Sequence, residues 1–213
     1  MEQPKRPVTD LNWQDIKARI REVVFFLPQY LKNPVDGIKR VPSWDWTTVI
    51  ILEVLISAAC GLLGGIVARH ILSVLGGIIV GPVMGLIMSV VLSGILYYAG
   101  LFILKTELEY KKIFIVVVLA QIPAQIIGVL SPISRAVTPF AILISALLIT
   151  VGLVDNFMLE KKRVTKIVGT LTGIVLIFWI YSAVLDITRH RIKVQEYTPE
   201  SLDQIHKELS EGK

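Results

Sequence analysis

Two carboxylates in the 213-residue chain stand inside long apolar runs: Glu53 in WTTVIILEVLISAACG and Asp155 in LLITVGLVDNF. If those runs cross a membrane, each carboxylate costs about 2.5–3.5 kcal/mol near the bilayer centre even on the gentler insertion scale, so both are expected to face protein. Buried groups of this kind can hold a proton, an ion or a ligand, or they can hydrogen-bond one another and fix helix register. Gln121 and Gln125 share a face of a third run and flank Pro123, whose ring frees a backbone carbonyl one turn earlier for another partner. At 1.5 Å per residue, Glu53 falls about 9 Å from the inner end of its run, and Asp155 and Asn156 fall about 7 Å before Glu160. Similar depth predicts one polar cluster, Glu53, Gln121, Gln125, Asp155 and Asn156, in the inner half of the bilayer.

Signatures of enzyme chemistry are missing where they would be visible. No HExxH, CxxC, GxSxG or GxxxxGK[ST] occurs. His70, His190 and His206 lie in loops or tail and cannot form a metal triad by local spacing, and Cys60 has no second cysteine. Intramembrane aspartyl proteolysis needs two membrane aspartates, but Asp155 lacks a GxGD context and Asp186 stands at a boundary. The expectation is a non-enzymatic protein without metal or cofactor.

Positioning these side chains requires membrane helices. Hydrophobic residues make up 54% of the chain against 18% charged, with mean hydropathy +0.67, outside the range of soluble globular chains. Aromatic residues reach only 8%, so the apolar excess belongs to packed helices rather than to an aromatic-girdled barrel. The formal charge of +5 then reports orientation and contact with anionic lipid, and nucleic acid is not an expected partner.

Five runs, approximately 47–68, 80–104, 113–130, 138–159 and 166–186, are long enough to cross about 30 Å of hydrocarbon. The second is read as starting near Pro82, with Ile78 to Val80 interfacial; a longer, kinked helix is the alternative. This gives an all-α fold: a polar N-terminal segment 1–46 without a secretory signal, a five-helix membrane domain 47–186 and a polar tail 187–213. The tail carries Thr198 as an N-cap, Pro199 and a stripe of Leu202, Ile205 and Leu209. With the N-terminus cytoplasmic, 15 of the 22 Lys and Arg residues lie inside, and the C-terminus is outside, although Arg189, Arg191 and Lys193 run against that bias.

Small residues four apart allow the spans to approach closely. Ser57, Gly61 and Gly65 mark the first, Gly81, Gly85, Ser89 and Ser93 the second, Ala120, Ala124 and Gly128 the third, Ala141 and Ser145 the fourth, and Thr165, Gly169 and Gly173 the fifth. Ahead of the spans, Trp13, Ile16, Ile20, Val23, Val24 and Leu27 form an apolar stripe with Lys17, Arg19 and Arg21 off it, predicting an amphipathic helix over about 10–28 that closes near Pro28. Two placements fit that helix: in plane on the anionic inner leaflet, or packed on the protein's own membrane domain.

Three stretches resemble the Yip family, the five-span Ypt/Rab-interacting-protein domain, over about residues 26–185. They are the entry segment FLPQYLKNPVDGIKRVPSWDW, the third-span AQIPAQIIGVL, and the fourth-span LLITVGLVDNFMLEKKRVTKIV, in which Gly152, Leu153, Asp155, Leu159 and Lys162 match the family pattern. Asp155 stands where Glu is commoner, KKRVTK departs from the usual small-residue continuation, and the long cytosolic head and DLYGP lead-in of the eukaryotic branch are missing, so Rab binding is not carried over. The resemblance implies a five-helix bundle with its N-terminus in the cytoplasm, a prokaryotic plasma membrane, and a non-enzymatic role as scaffold or accessory subunit for membrane proteins or lipids. A small transporter, channel or lipid-handling protein built on the polar cluster is the alternative.

Overall fold

A computed structural model describes the backbone of residues 13–195 and of Lys207, and the side chains of residues 13–185 and of Lys207. The side chains of Asp186, Arg189, His190, Arg191 and Lys193, the tail stripe Leu202, Ile205 and Leu209, and His206 lie outside the described residues. Among those described, every regular element is helical: α1 Trp13–Lys32, α2 Pro34–Lys39, α3 Trp46–Val67, α4 Ile71–Ala99 continued by a π-helical turn Gly100–Leu104, α5 Tyr110–Gly128, α6 Val137–Phe157 and α7 Lys161–Gln195. Five stretches are long and apolar enough to cross a membrane: Trp46–Val67, Ile71–Leu104, Tyr110–Gly128, Val137–Phe157 and Lys161–Leu185. The protein is an all-helical, integral membrane protein. Among the described residues, those from Trp13 to Thr170 belong to one unit and α7 from Leu171 onward to a second.

Local chemistry sets the boundaries. Asn33 caps α2, its side chain accepting from the Asp36 N–H, and Pro34 occupies the first turn, where its missing N–H has no partner to lose. Asp45 precedes α3 and accepts from the Thr48 hydroxyl. Lys105 and Met158 end their helices in the left-handed region, with φ 53° at each.

α5 is the axis of the first unit, buried continuously from Ile113 to Ala120, with α3, α4, α6 and α2 packed on it. α3 and α4 form an antiparallel pair joined by only residues 68–70. Their register places Gly65 against Val74, Gly61 against Gly77, Ser57 against Gly81 and Glu53 against Gly85. A Cβ at Gly61 would stand 2.1 Å from the Gly77 carbonyl oxygen, and one at Gly77 would stand 2.3 Å from that of Gly61. Where lipid is as apolar as the side chains, this backbone approach supplies the dispersion contact that holds two helices together.

Two boundaries differ from the sequence reading. The second membrane helix begins at Ile71, not near Pro82, because α3 flanks its first turns through Gly77 and Val74 and a single proline removes one hydrogen bond without ending a helix so supported. Likewise α1 passes Pro28 to Lys32, its last turn fixed by Tyr30, which is 1% exposed.

The stripe on α1 also divides. Ile16, Ile20 and Leu27 are half-buried and Val23 is buried, on the side where α1 meets α3, whereas Trp13 and Val24 are exposed. Arg19 leaves the basic face for an ion pair with Asp45 and a hydrogen bond to the Thr48 hydroxyl (3.1 Å). The Thr48 and Arg19 bonds outweigh the desolvation that opposes them and hold the Asp45 carboxyl below the usual carboxylate range.

Candidate functional site

Glu53 sits at the meeting of α3, α4 and α5 with no exposed surface. Its Oε1 accepts from Gln125 Nε2 at 3.1 Å. Ser57 Oγ, one turn along α3, lies 3.1 Å from the same oxygen and 3.2 Å from Gln125 Oε1, so its single proton serves one of them at a time. From α4, Gly85 faces the pair: a Cβ there would stand 2.6 Å from Glu53 Oε1 and 2.7 Å from Ser57 Oγ. Glycine at position 85 is thus the space the carboxyl occupies. Glu53 Oε2 is buried and makes no hydrogen bond among the described residues.

Gln121, one turn before Gln125, points to α4 instead, where Ser89 donates to its Oε1 at 3.1 Å. Ser93, one turn further along α4, is buried with its hydroxyl unpartnered among the described residues. Two glutamine side chains therefore help stitch α5 to its neighbours, Gln125 to α3 and Gln121 to α4.

Asp155 and Asn156 do not join them. Lys112, near the start of α5, donates to the Asn156 carbonyl at 2.9 Å, whereas Gln125 stands 13 residues further on, about 20 Å along the helix. Counting depth from the end of each apolar run aligned groups that the packing separates. Asp155 is exposed, and its charge reinforces that of Asp36 in holding the Lys39 ammonium above its usual range. Asn156 instead anchors the entry segment: its Nδ2 donates to the carbonyls of Ile38 (2.7 Å) and Gly152 (2.8 Å), and its Oδ1 accepts from the Val41 N–H (3.2 Å).

The carbonyl freed by Pro123 has found its partner. Proline lacks the N–H that Leu119 O would accept, and Tyr30 of α1 donates its hydroxyl to that oxygen at 2.7 Å. The Tyr30 ring packs on Gly37, where a Cβ would stand 2.7 Å from it, and stacks on Phe26 at 5.7 Å between centroids. The sequence signals Tyr30 only as a tyrosine seven residues after Val23, on the face that turns inward.

Of the small residues, Ser57, Gly61, Gly65 and Gly85 lie at the α3–α4 contact, Ser89 bonds Gln121, Ala120 is buried and Ala124 half-buried in α5. Gly169 has no atom within 4 Å of its would-be Cβ, and Gly173 belongs to the second unit. Among the described residues no group of His, Cys, Asp and Glu could hold a metal ion.

Two of the stretches that carry the family resemblance, the entry segment and the fourth-span stretch, touch each other in space. Ile38, in the entry segment, packs on Gly152, where a Cβ would meet Val116 at 2.6 Å and Ile38 at 3.1 Å. The family model of the Yip1 domain matches residues 29–183. The chain belongs to the Yip1 domain family. No curated protein and no solved structure matches it. In this Yip1 domain Asn33 and Pro34 start the short helix that delivers Ile38 to Gly152 and Asn156, and the proline of the third span is satisfied by Tyr30 from the same entry segment. The family's sequence pattern is here one docking arrangement, the N-terminal helices locked onto α5 and α6.

Proposed function

We propose that this Yip1 domain is a non-enzymatic membrane scaffold or accessory subunit, set in a prokaryotic plasma membrane with its N-terminus in the cytoplasm, that organises other membrane proteins or lipids. The observation that supports this reading is the inward pairing of the polar core, in which the buried side-chain polar atoms other than Glu53 Oε2 and the Ser93 hydroxyl have a partner among the described residues. Ser57 and Gln125 turn inward on Glu53, Ser89 on Gln121 and Tyr30 on Leu119. The Gln125 and Ser89 bonds each join two helices, the Ser57 bond orients the Glu53 carboxyl within α3, and the Tyr30 bond satisfies a carbonyl freed by proline, which is the work of register and rigidity.

One observation favours the alternative, a small transporter or channel: Glu53 Oε2 is buried without a partner among the described residues, and an unsatisfied carboxyl oxygen between three helices is where a transported proton or cation would bind. Purified protein in sealed vesicles, with an imposed proton or sodium gradient read by an entrapped dye, separates the two. A scaffold leaves the gradient decaying as in protein-free vesicles. Faster decay that Glu53→Gln suppresses would establish the conduit and sink the scaffold.

A further inference from the structure

Helix α1 has three faces: an inner one packed on the bundle, an acidic one tied to the entry segment through Glu22, whose carboxylate accepts from the Trp44 indole N–H at 2.7 Å, and a third that meets neither. At 3.6 residues per turn, Ile16, Ile20, Val23, Leu27 and Tyr30 occupy the inner third or so of its circumference. A second third or so carries Trp13, Lys17, Arg21, Val24, Phe25 and Leu31. On this face Trp13 is 65%, Val24 56% and Phe25 69% exposed. Neither Lys17 nor Arg21 has an ion-pair partner among the described residues; Lys17 lies 5.8 Å from the centroid of the Trp13 ring. The remaining face, with Asp15, Ala18, Glu22 and Gln29, is polar and acidic.

The level of α1 is fixed by Arg19, which pairs with Asp45 at the start of α3. The next residue, Trp46, begins a run of aromatic contacts, Trp46 on Tyr110, Tyr110 on Tyr97, Tyr97 on Tyr98 and Tyr98 on Phe102. A belt of tyrosine and tryptophan at one end of a set of apolar helices marks the membrane–water boundary. The Arg19 turn of α1 therefore stands at headgroup level and its Tyr30 end reaches the middle of the α5 span, where the hydroxyl meets Leu119 O, with an apolar and basic face turned away from its own bundle and an acidic face beside it.

We propose that this second face of α1 seats in the interfacial layer of the protein's own bilayer, with Trp13, Val24, Phe25 and Leu31 at the acyl boundary and Lys17 and Arg21 on anionic phospholipid headgroups. The occupant is lipid because the patch joins large apolar side chains to uncompensated positive charge at the depth where anionic headgroups meet hydrocarbon. Of the acidic face, Glu22 is held by the Trp44 indole N–H, and the exposed Asp15, Ala18 and Gln29 turn toward water. The stripe apparent in the sequence is not this face: its centre, Val23, belongs to the bundle, and the lipid face is offset around the helix. The proposal rests on membrane insertion and on neither the scaffold role nor the orientation of the chain.

The test uses the full chain in vesicles, with Cys60→Ala as background and a single cysteine at Phe25 or at Ala18 carrying an environment-sensitive fluorophore. Both leaflets hold the same lipid, either neutral phosphatidylcholine or a mixture with anionic phosphatidylglycerol, so the readout does not depend on which end faces the cytoplasm. In anionic vesicles the Phe25 probe is quenched by a lipid-borne quencher and shielded from aqueous iodide, and the Ala18 probe behaves the other way. Lys17→Gln lowers the ratio of lipid-seated to water-seated Phe25 probe roughly fivefold at low ionic strength, and salt diminishes the difference. An unchanged melting temperature in the Lys17→Gln protein shows that the fold is intact. Iodide access at Phe25 equal to that at Ala18 overturns the proposal, including the case in which Phe25 is shielded only in native membranes, where a protein covers it. Equal, salt-independent lipid quenching in neutral and anionic vesicles overturns the anionic headgroup.

Discussion

Tyr30 ties the entry segment to the membrane domain through one bond whose strength can be isolated. Its hydroxyl is the donor that Leu119 O lost to Pro123, and removing a partner from a buried acceptor costs about 1–3 kcal/mol. Tyr30→Phe is expected to lower the stability of the purified protein by that amount in detergent melting or denaturant titration. Pro123→Ala restores an N–H to the Leu119 carbonyl, so in that background the same Tyr30→Phe change should cost less, and the double-mutant cycle should show coupling. Additive losses would mean that the two residues act independently. Burial also pushes the Tyr30 phenol well above its ordinary value. A group whose folded pKa is raised contributes in full below the unfolded value and loses that contribution as pH rises, so stability should decline above about pH 10. In Tyr30→Phe the alkaline decline should be shallower, as followed by helical circular dichroism against pH.

At the scale of elements, the α3–α4 pair depends on glycine at some positions and not at others. Gly61→Ala places a methyl 2.1 Å from the Gly77 carbonyl oxygen, which backbone must yield to relieve, and overpacking of that kind costs about 1–3 kcal/mol. Gly64→Ala, three residues along the same helix, meets nothing within 4 Å and should leave melting unchanged. If both variants melt alike, the close approach is not what joins the pair. The contrast also shows how far a sequence can be read. The spacing of Ser57, Gly61 and Gly65 was visible, and so were the five apolar runs and the carbonyl freed by Pro123. Three things were not. Pro82 looked like a start because the support that α3 gives Ile71 to Gly81 is a tertiary contact. Thr165, Gly169 and Gly173 look like the α3 stripe, yet Gly169 has open space beside it, since small residues permit an approach without causing one. Asp155 looked level with Glu53 because depth counted along each helix ignores how helices slide past one another, and α5 sets the true offset.

For the whole molecule, fifteen of 22 basic residues on one side predict a cytoplasmic N-terminus and an opposite C-terminus. Reporters active on only one side, fused to each end of the chain in cells, should signal from opposite compartments; signals from the same compartment would contradict an odd number of crossings. On the scaffold reading, the polar groups between the helices hold the Yip1 domain together and carry nothing across. Glu53→Gln keeps an oxygen to accept from Gln125 Nε2 and removes the possibility of a buried charge, so fold and melting temperature should persist or improve. Transport of a proton or cation, by contrast, needs the carboxyl itself. The decisive measurement is complementation of a deletion strain by Glu53→Gln at matched protein abundance. The scaffold account predicts restored function close to that of the wild type, and a folded, abundant variant that fails to restore it would contradict the account.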